Sequence, residues 1–467
     1  MQPEFFIFLS VYFVLLIFTS FLFLRKMKSL EDFFLASRSL SAFLVYLSLC
    51  ASWFGATSIL VSTDEAYREG LSSFWLVGMP AMLTVLALGF FLAKPLRRLP
   101  IVSLPDLVEM RYGPTVRHLA SLLIIWYMVL LAASQMVAVG NFLKIFLGTS
   151  YFWSLVLGTA VVLLYSICGG FFSVVVADSY KFLLLILGMA SLFFFLASHS
   201  SFNEIKPLAF GIGKGHYFDF FYNFKTNSLI TLSFLLAWTI SPIAWQRIQA
   251  ARTAEKAKRA LFAAAGTFFL LYWLVVIIGC FSLPLFSSRK LANPLLSELI
   301  SSKTGIFLGG LVFVAVVAAV MSTMDAAINT GALTLTRDIY QQLFPSAKAQ
   351  GIVRASRVST FLVGAMAFVV ATQLQDILKT IGLASEIMAE GLFIPGMAMI
   401  FLKRKLPLAG FLSLVLGGGF SIITFLGAVN LLPLSLPSWP FSVPYGLALS
   451  MGGFMIGLAF EMAKTKS

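Results

Sequence analysis

The chain has 467 residues, of which 60% are hydrophobic and 11% are charged, and its mean hydropathy is +0.95. This composition excludes a soluble globular protein, because the surface of such a protein needs many more polar side chains. The net charge of +14 does not indicate nucleic-acid binding, since the basic residues lie in short clusters between apolar runs, as in the cytoplasmic loops of membrane proteins.

Apolar runs recur along the whole chain, and a helix needs about 20 apolar residues to cross the hydrocarbon layer of a bilayer. We therefore predict an all-α integral membrane protein with about 13 transmembrane helices embedded in the lipid bilayer. The predicted spans are residues 5–24, 40–62, 72–93, 118–145, 151–168, 171–198, 228–246, 259–285, 305–335, 352–372, 378–402, 407–428 and 443–462.

The distribution of positive charge predicts the orientation of these spans. Arg25, Lys26 and Lys28 follow the first apolar run, which has neither a basic segment before it nor a small-residue cleavage site. We expect a retained helix with the N-terminus outside, and the odd number of spans then puts the C-terminus inside. Most other basic residues fall in the inside loops. Two of these loops, 94–117 and 247–258, are predicted to form amphipathic helices at the membrane surface.

Spans two to eleven form two sets of five, and the first span of each set contains a helix-breaking signal. The centre of span 40–62 carries Gly55, and span 228–246 contains Ser241-Pro242. Interrupted helices in corresponding positions are typical of inverted-repeat transporters, although glycine and proline are also common in ordinary membrane helices. The predicted division is an extra helix in 1–34, a first repeat in 35–200, a second repeat in 201–402 and two C-terminal helices in 403–467.

Five ionisable residues lie inside predicted spans, where charge is costly and often functional: Asp178, Lys181, Asp325, Glu386 and Glu390. Asp178 and Lys181 are three residues apart, so they either form a private ion pair or serve the pathway. Glu386 and Glu390 either face the pathway or pair with a lysine elsewhere. No arginine is predicted well inside a span, which disfavours a strongly anionic solute.

Ala319, Ser322 and Thr323 recur at helical spacing in the ninth span and put one carbonyl and two hydroxyls on one face. Alkali cations need several such oxygens, and an unwound neighbouring helix supplies more of them. On spacing alone, hydroxyls that mediate helix packing are the favoured interpretation.

Four motifs in chain order resemble the sodium:solute symporter family, which includes bacterial sodium–proline, sodium–sialic acid, sodium–galactose and choline carriers. The resemblance implies a LeuT-type fold of two inverted five-helix repeats, with a sodium site between the second and ninth spans. The motifs are Leu104-Pro105-Asp106 with Arg111-Tyr112-Gly113, Gly169-Gly170 with Asp178, Trp245-Gln246-Arg247, and Met321-Ser322-Thr323-Met324-Asp325 with Arg337-Asp338-Ile339-Tyr340.

The resemblance also implies roles for individual residues. The sodium ligands would be the carbonyls of Ala51, Phe54 and Ala319 and the hydroxyls of Ser322 and Thr323. Asp178 and Asp325 match acidic positions that tune or join cation binding, and no cofactor other than the coupling Na⁺ is implied.

Two departures from the family pattern bear on coupling. Ala326 lacks the hydroxyl that a second sodium site would use. Lys181 replaces the usual glutamine, and its ammonium group can weaken sodium binding or substitute for the ion. A proton-driven or sodium-independent carrier therefore remains an alternative.

We predict substrate contacts on the broken helices and on the helices next to them. Three of the candidates, Trp53, Trp75 and Trp238, could together line an aromatic cage for a quaternary ammonium. For any single tryptophan, a place in the core or at the membrane interface is the favoured interpretation. The candidates are Trp53, Thr57, Ser58, Phe74, Trp75, Gln135, Trp238 and Glu386.

We expect a monomeric alternating-access symporter of the bacterial inner membrane that carries a small organic solute: an amino acid, amine, vitamin or sugar. A transporter-like sensor is an alternative, but no output domain is visible in the sequence. An enzyme is disfavoured, because the sequence has no metal-ligand cluster and no nucleophile–base pairing.

Overall fold

A computed structural model describes residues 3–23, 30–99, 101–286, 291–402, 404–433 and 436–464. Within these ranges the chain is helical, and its extended backbone pairs only at an isolated bridge between Leu40 and Ala251. The basic cluster Arg25, Lys26 and Lys28, on which the predicted orientation partly depends, lies outside the described residues.

Fifteen helices carry the architecture, and they follow the predicted spans closely. They are α1 (Pro3–Phe23), α2 (Ala42–Trp53), α3 (Ser62–Glu69), α4 (Gly78–Ala87), α5 (Pro114–Leu147), α6 (Tyr151–Cys168), α7 (Gly170–His199), α8 (Phe224–Thr239), α9 (Pro242–Ala250), α10 (Ala254–Phe281), α11 (Ile306–Thr334), α12 (Ala349–Gln373), α13 (Ile377–Phe401), α14 (Pro407–Ala428) and α15 (Val443–Lys464).

In the described part of the chain, ten helices are long and apolar enough to cross a membrane, or eleven when the bent pair α8 and α9 is one span. The predicted number of 13 is larger because it also counts two shorter apolar helices, Glu4–Thr19 and Ala42–Trp53. The prediction of an all-helical multi-pass membrane protein is confirmed at this coarser level.

Helix α11 forms the centre of the molecule and packs mainly against α5 and against the helix pair α6 and α7. Every residue of α11 from 312 to 334 is buried, polar side chains included. A helix surrounded by protein on all sides can carry Ser, Thr and Asp at membrane depth, because neighbouring helices satisfy these groups.

Both predicted helix breaks are present. Helix α2 ends at Trp53, Phe54 leaves the helical conformation (φ −81°, ψ 71°), and the chain turns helical again at Thr57. The second break separates α8 from α9, which begins with Pro242 at an angle of 40° to α8.

The two broken spans are also joined at their far ends. The amide of Leu40 donates to the carbonyl of Ala250 over 3.1 Å, and the amide of Arg252 donates to the carbonyl of Leu40 over 2.9 Å. These bonds tie the start of α2 to the end of α9, so the two half-helices cannot move independently at this end.

The structure corrects the prediction of a surface helix in 247–258. Residues 247–250 belong to α9 and are buried, and a new helix starts at Ala254. The local sequence is charged enough to suggest an interfacial helix, but Arg247 finds buried polar partners instead.

Candidate functional site

The break between α2 and α3 lies against α5 and α11. A Cβ atom at Gly55 would stand 2.5 Å from Gln135 Oε1 and 2.6 Å from Thr323 Oγ1. These approaches are shorter than van der Waals contact, so only glycine fits here. The missing side chain brings the unwound backbone next to two polar side chains.

The break releases backbone oxygens from helical hydrogen bonds. The amide of Gly55 donates to the carbonyl of Trp53 (3.0 Å), and the amide of Ala56 donates to Gln135 Oε1 (2.8 Å). In a continuous helix these two amides would bond to the carbonyls of Ala51 and Ser52. The Ala51 carbonyl is therefore left without the Gly55 amide as its helical hydrogen-bond donor.

The hydroxyl groups of the predicted sodium site lie on the face of α11 that meets this break. Thr323 Oγ1 is buried and has no hydrogen-bond partner. Ser322 Oγ donates to Asp178 Oδ1 over 2.5 Å and keeps its lone pairs free to coordinate a cation. An unpartnered buried hydroxyl beside a released carbonyl fits a small hard cation that accepts oxygen ligands.

Asp178 is surrounded by hydroxyl groups and one arginine. It accepts from Ser48 Oγ (2.8 Å) and Ser322 Oγ, and Arg247 Nη2 lies 3.8 Å from its carboxylate. Arg247 also donates to Ser52 Oγ over 2.6 Å. Asp178 thus connects α7 to α2, α9 and α11, next to the predicted sodium ligands.

Arg247 is fully buried, which contradicts the prediction that no arginine lies well inside a span. The sequence signal was available, because Trp245-Gln246-Arg247 directly follows the Ser241-Pro242 break. The predicted end of the span at residue 246 excluded Arg247 by one residue.

Lys181 pairs with Asp325 and not with Asp178. Its Nζ lies 2.5 Å from Asp325 Oδ2 and 3.0 Å from the Tyr165 hydroxyl, which itself donates to Asp325. All three side chains are fully buried. A private Asp178–Lys181 ion pair, one of two interpretations left open by the sequence, is therefore wrong.

A pocket of about 50 Å³ opens at the two breaks, roughly the volume of one or two water molecules. It contains six of the predicted residues, and a solute larger than a few atoms requires their side chains to move apart. The pocket is lined by Ser52, Trp53, Gly55, Thr57, Ser58, Val77, Tyr127, Leu131, Gln135, Trp238, Ser241, Ile243, Thr323 and Ile381.

Trp53 and Trp238 line this pocket and contact each other edge to face, with ring centroids 5.6 Å apart and planes at 83°. Ser58 Oγ contacts the Tyr272 hydroxyl over 2.8 Å and also bonds to the Trp53 carbonyl. These contacts hold the side chains of the broken span against α8 and α10.

Three predicted substrate residues lie outside the pocket, so the predicted cage of three tryptophans does not form. Phe74 stacks on Trp273 at 4.6 Å, and the Trp75 indole donates to the carbonyl of Phe220 in the loop before α8. Glu386 accepts a hydrogen bond from Ser442.

The prediction missed Tyr127, Ser241 and Ile381, which line the pocket. Ser241 stands at a predicted break and was recognisable from that position. Tyr127 and Ile381 lie on long helices, and only the packing of α5 and α13 turns them toward the pocket.

Several known proteins are similar to this chain. A family model described as "Sodium:solute symporter family" matches residues 33–417. The sodium/proline symporter of Staphylococcus aureus is 23% identical over 99% of this chain and 92% of its own length. The sodium/glucose cotransporter of Vibrio parahaemolyticus is 24% identical over 88% of this chain and 81% of its own length.

A solved Na⁺-coupled sialic acid symporter in a substrate-bound, outward-open state has the same fold. Its TM-score is 0.81, with 20% identity over 98% of this chain and 97% of that chain. The solved structures of similar fold are LeuT-fold transporters, so the predicted fold type is supported at that level.

Proposed function

Because the chain belongs to the sodium:solute symporter family, we propose that it is a plasma-membrane symporter that moves a small organic solute by alternating access, driven by sodium. The observation that carries this proposal is the buried, unpartnered hydroxyl of Thr323 beside the broken helix that follows α2. Family membership supports sodium-coupled solute transport, and it identifies the chain as a transporter and not an enzyme.

In this proposal sodium binds between α2 and α11. Its ligands are the carbonyls of Ala51, Phe54 and Ala319 and the hydroxyls of Ser322 and Thr323. Asp178 accepts a hydrogen bond from the Ser322 hydroxyl and so orients the hydroxyl oxygen toward the ion. Sodium bridging two helices stabilises one arrangement of them, which is the requirement for coupling.

The solute binds in the pocket at the two breaks, beside the proposed sodium ligand Thr323. The described lining residues include aromatic rings, hydroxyls and the Gln135 amide, and none of them is charged. A solute without net charge therefore fits best: an amino acid zwitterion, a sugar or a neutral vitamin. Binding of a cationic amine in this pocket would depend on cation–π contacts with the Trp53 and Trp238 rings alone.

A second candidate function is a sodium-independent or proton-driven carrier of the same fold. The observation favouring it is the ion pair of Lys181 and Asp325, which places a tethered ammonium group beside the cation-binding region. Such a group supplies the positive charge that would otherwise come from an ion.

The test is uptake into proteoliposomes of a pooled set of labelled solutes: proline, choline, pantothenate, sialic acid, glucose and acetate. We expect uptake with an inward sodium gradient and none with potassium plus a pH gradient. Thr323→Ala should raise the half-saturating sodium concentration at least about tenfold, the equivalent of about 1.4 kcal/mol of lost ligand energy.

The matched control is Thr360→Ala, which removes a buried hydroxyl bonded to the Ser356 carbonyl on α12. It should leave the sodium dependence unchanged. An unchanged sodium dependence in Thr323→Ala would reject the proposed site, and uptake driven by the pH gradient alone would favour the second candidate.

A further inference from the structure

Two glutamates of α13 are fully buried away from the solute pocket. Glu386 directly precedes a wide helical turn, Ile387–Leu392, that contains Glu390, and neither side chain is exposed. One oxygen of Glu386 accepts from Ser442, and its other oxygen has no hydrogen-bond partner. Both carboxyl oxygens of Glu390 have none.

The packing around Glu390 leaves no space for a further side chain. A Cβ atom at Gly446 of α15 would lie 2.2 Å from the Glu390 carboxyl carbon, and one at Gly417 of α14 would lie 2.0 Å from its backbone oxygen. These two glycines let α14 and α15 close directly over the glutamate, so its carboxyl group is enclosed in protein.

No cation of the described residues lies within 4.0 Å of either carboxyl group. From α14 the Thr424 hydroxyl approaches Glu386, and from α5 Leu123 packs against the neighbouring Gly391. Glu386 is a charged neighbour of Glu390.

Other charged and titratable groups on the helices packed around this pair lie elsewhere. Lys379 on α13 donates to the Ala428 carbonyl, and Tyr127 on α5 lines the solute pocket. The remaining groups stand near helix ends or are exposed: Arg117, His118 and Lys144 on α5, Lys225 on α8, and Tyr445, Glu461 and Lys464 on α15.

Glu386 and Glu390 are four residues apart on one helix and are buried without a cation from the described residues beside them. If both were ionised, the two carboxylates would repel each other and be poorly solvated. Burying each carboxylate without a counter-charge is strongly unfavourable. A proton is the smallest ligand that removes this penalty, since a protonated carboxyl group is neutral and gains an O–H donor.

We propose that Glu386 and Glu390 form a proton-binding site that holds at least one proton near neutral pH and releases it at alkaline pH. The site lies outside the sodium and solute positions, so it adds a ligand to the proposed function and does not replace one. Helix α13 carries both this site and Ile381 of the solute pocket, which connects the two mechanically.

The experiment is infrared difference spectroscopy of the full chain in liposomes, titrated from neutral to alkaline pH. In the wild type we expect a carboxylic-acid C=O band near neutral pH that shifts in D₂O and disappears on alkalisation. The double variant Glu386→Gln/Glu390→Gln should lack this band. The exposed Glu204→Gln variant should retain it.

Sodium-dependent thermal stabilisation of the same variants separates this proposal from the sodium site. Glutamine mimics the protonated carboxyl group, so the double variant should fold and respond to sodium as the wild type does. The proposal would be overturned if the double variant kept the carboxylic-acid band at neutral pH. It would also be overturned if the band that the double variant lacks did not disappear from the wild type at alkaline pH. A lost sodium response in wild type and variants alike would instead contradict the proposed sodium site.

Discussion

At the scale of single residues, the buried charged groups near the proposed sodium site divide into two clusters. Asp178 is held by three serine hydroxyls and Arg247, whereas Lys181 and Asp325 form a direct pair. A buried ion pair adds little net stability, but removing one partner leaves an uncompensated buried charge. The Lys181–Asp325 pair should therefore be sensitive to single substitutions and tolerant of paired ones.

Lys181→Met should destabilise the protein by about 3–5 kcal/mol, because it leaves Asp325 charged and buried. The double variant Lys181→Met/Asp325→Asn should cost clearly less than the sum of the two single variants. Thermal unfolding in sodium-free detergent solution measures both effects. The exposed Lys206→Met is the control and should change little; strictly additive single effects would contradict a direct buried pair.

At the scale of elements, the loop 212–224 that precedes α8 closes over the end of the first broken span. The Tyr217 carbonyl accepts from the amide of Leu71 over 3.0 Å, and the Tyr217 hydroxyl donates to Ala66. Lys214 Nζ donates to the Tyr67 carbonyl over 2.9 Å, and partial burial lowers the pKa of this lysine. One backbone hydrogen bond, together with the side chains of Tyr217 and Lys214, thus holds the loop in place.

Gly70 makes this closure possible. Its φ is +72°, and a Cβ atom there would lie 1.9 Å from the Tyr217 carbonyl oxygen. Gly213 within the loop also has a positive φ of +80°, but it has open space around it. Comparing the two glycines separates backbone strain from collision with the loop.

Gly70→Ala should displace the loop 212–224 and make it sensitive to protease. Gly213→Ala should cost only the strain of a left-handed alanine, about 1–2 kcal/mol, and leave the loop docked. Limited proteolysis of the protein in liposomes, read by mass spectrometry, measures cleavage within 212–224. Equal cleavage in the two variants would mean that the contact with Tyr217 does not hold the loop.

At the scale of the whole molecule, an ionic cluster holds one end of the helix bundle together. Arg117 of α5 lies 2.6 Å from Asp338, which follows α11, and 3.0 Å from Asp106 in the preceding short helix Leu104–Tyr112. Together with the bonds between Leu40 and the end of α9, this cluster links elements from both proposed repeats. We propose that these links close the inner side in the alternating-access cycle.

The proposed orientation is testable with single cysteines. In a background with Cys50, Cys168 and Cys280 replaced by serine, Lys206→Cys should react in intact cells with a membrane-impermeant maleimide. Lys348→Cys should react only after permeabilisation, because the positive-inside rule places its loop in the cytoplasm. Both positions are exposed, and the reverse pattern would mean that the N-terminus is inside.

The sequence by itself determined the helices, their two breaks and the family. Apolar length and the chemistry of Gly55 and Pro242 are local properties, so they are readable without knowing the neighbours. The polar face of α11 was likewise visible from its spacing, and the family motifs assigned it a role.

Only the tertiary structure decided which side chains meet. Lys181 joins Asp325 across 144 residues of sequence, Arg247 enters the interior, and Trp75 and Glu386 lie away from the pocket. These outcomes depend on the rotation of each helix about its axis and on which helices pack together. Both are set by the packing of the complete bundle, which no local stretch of sequence contains.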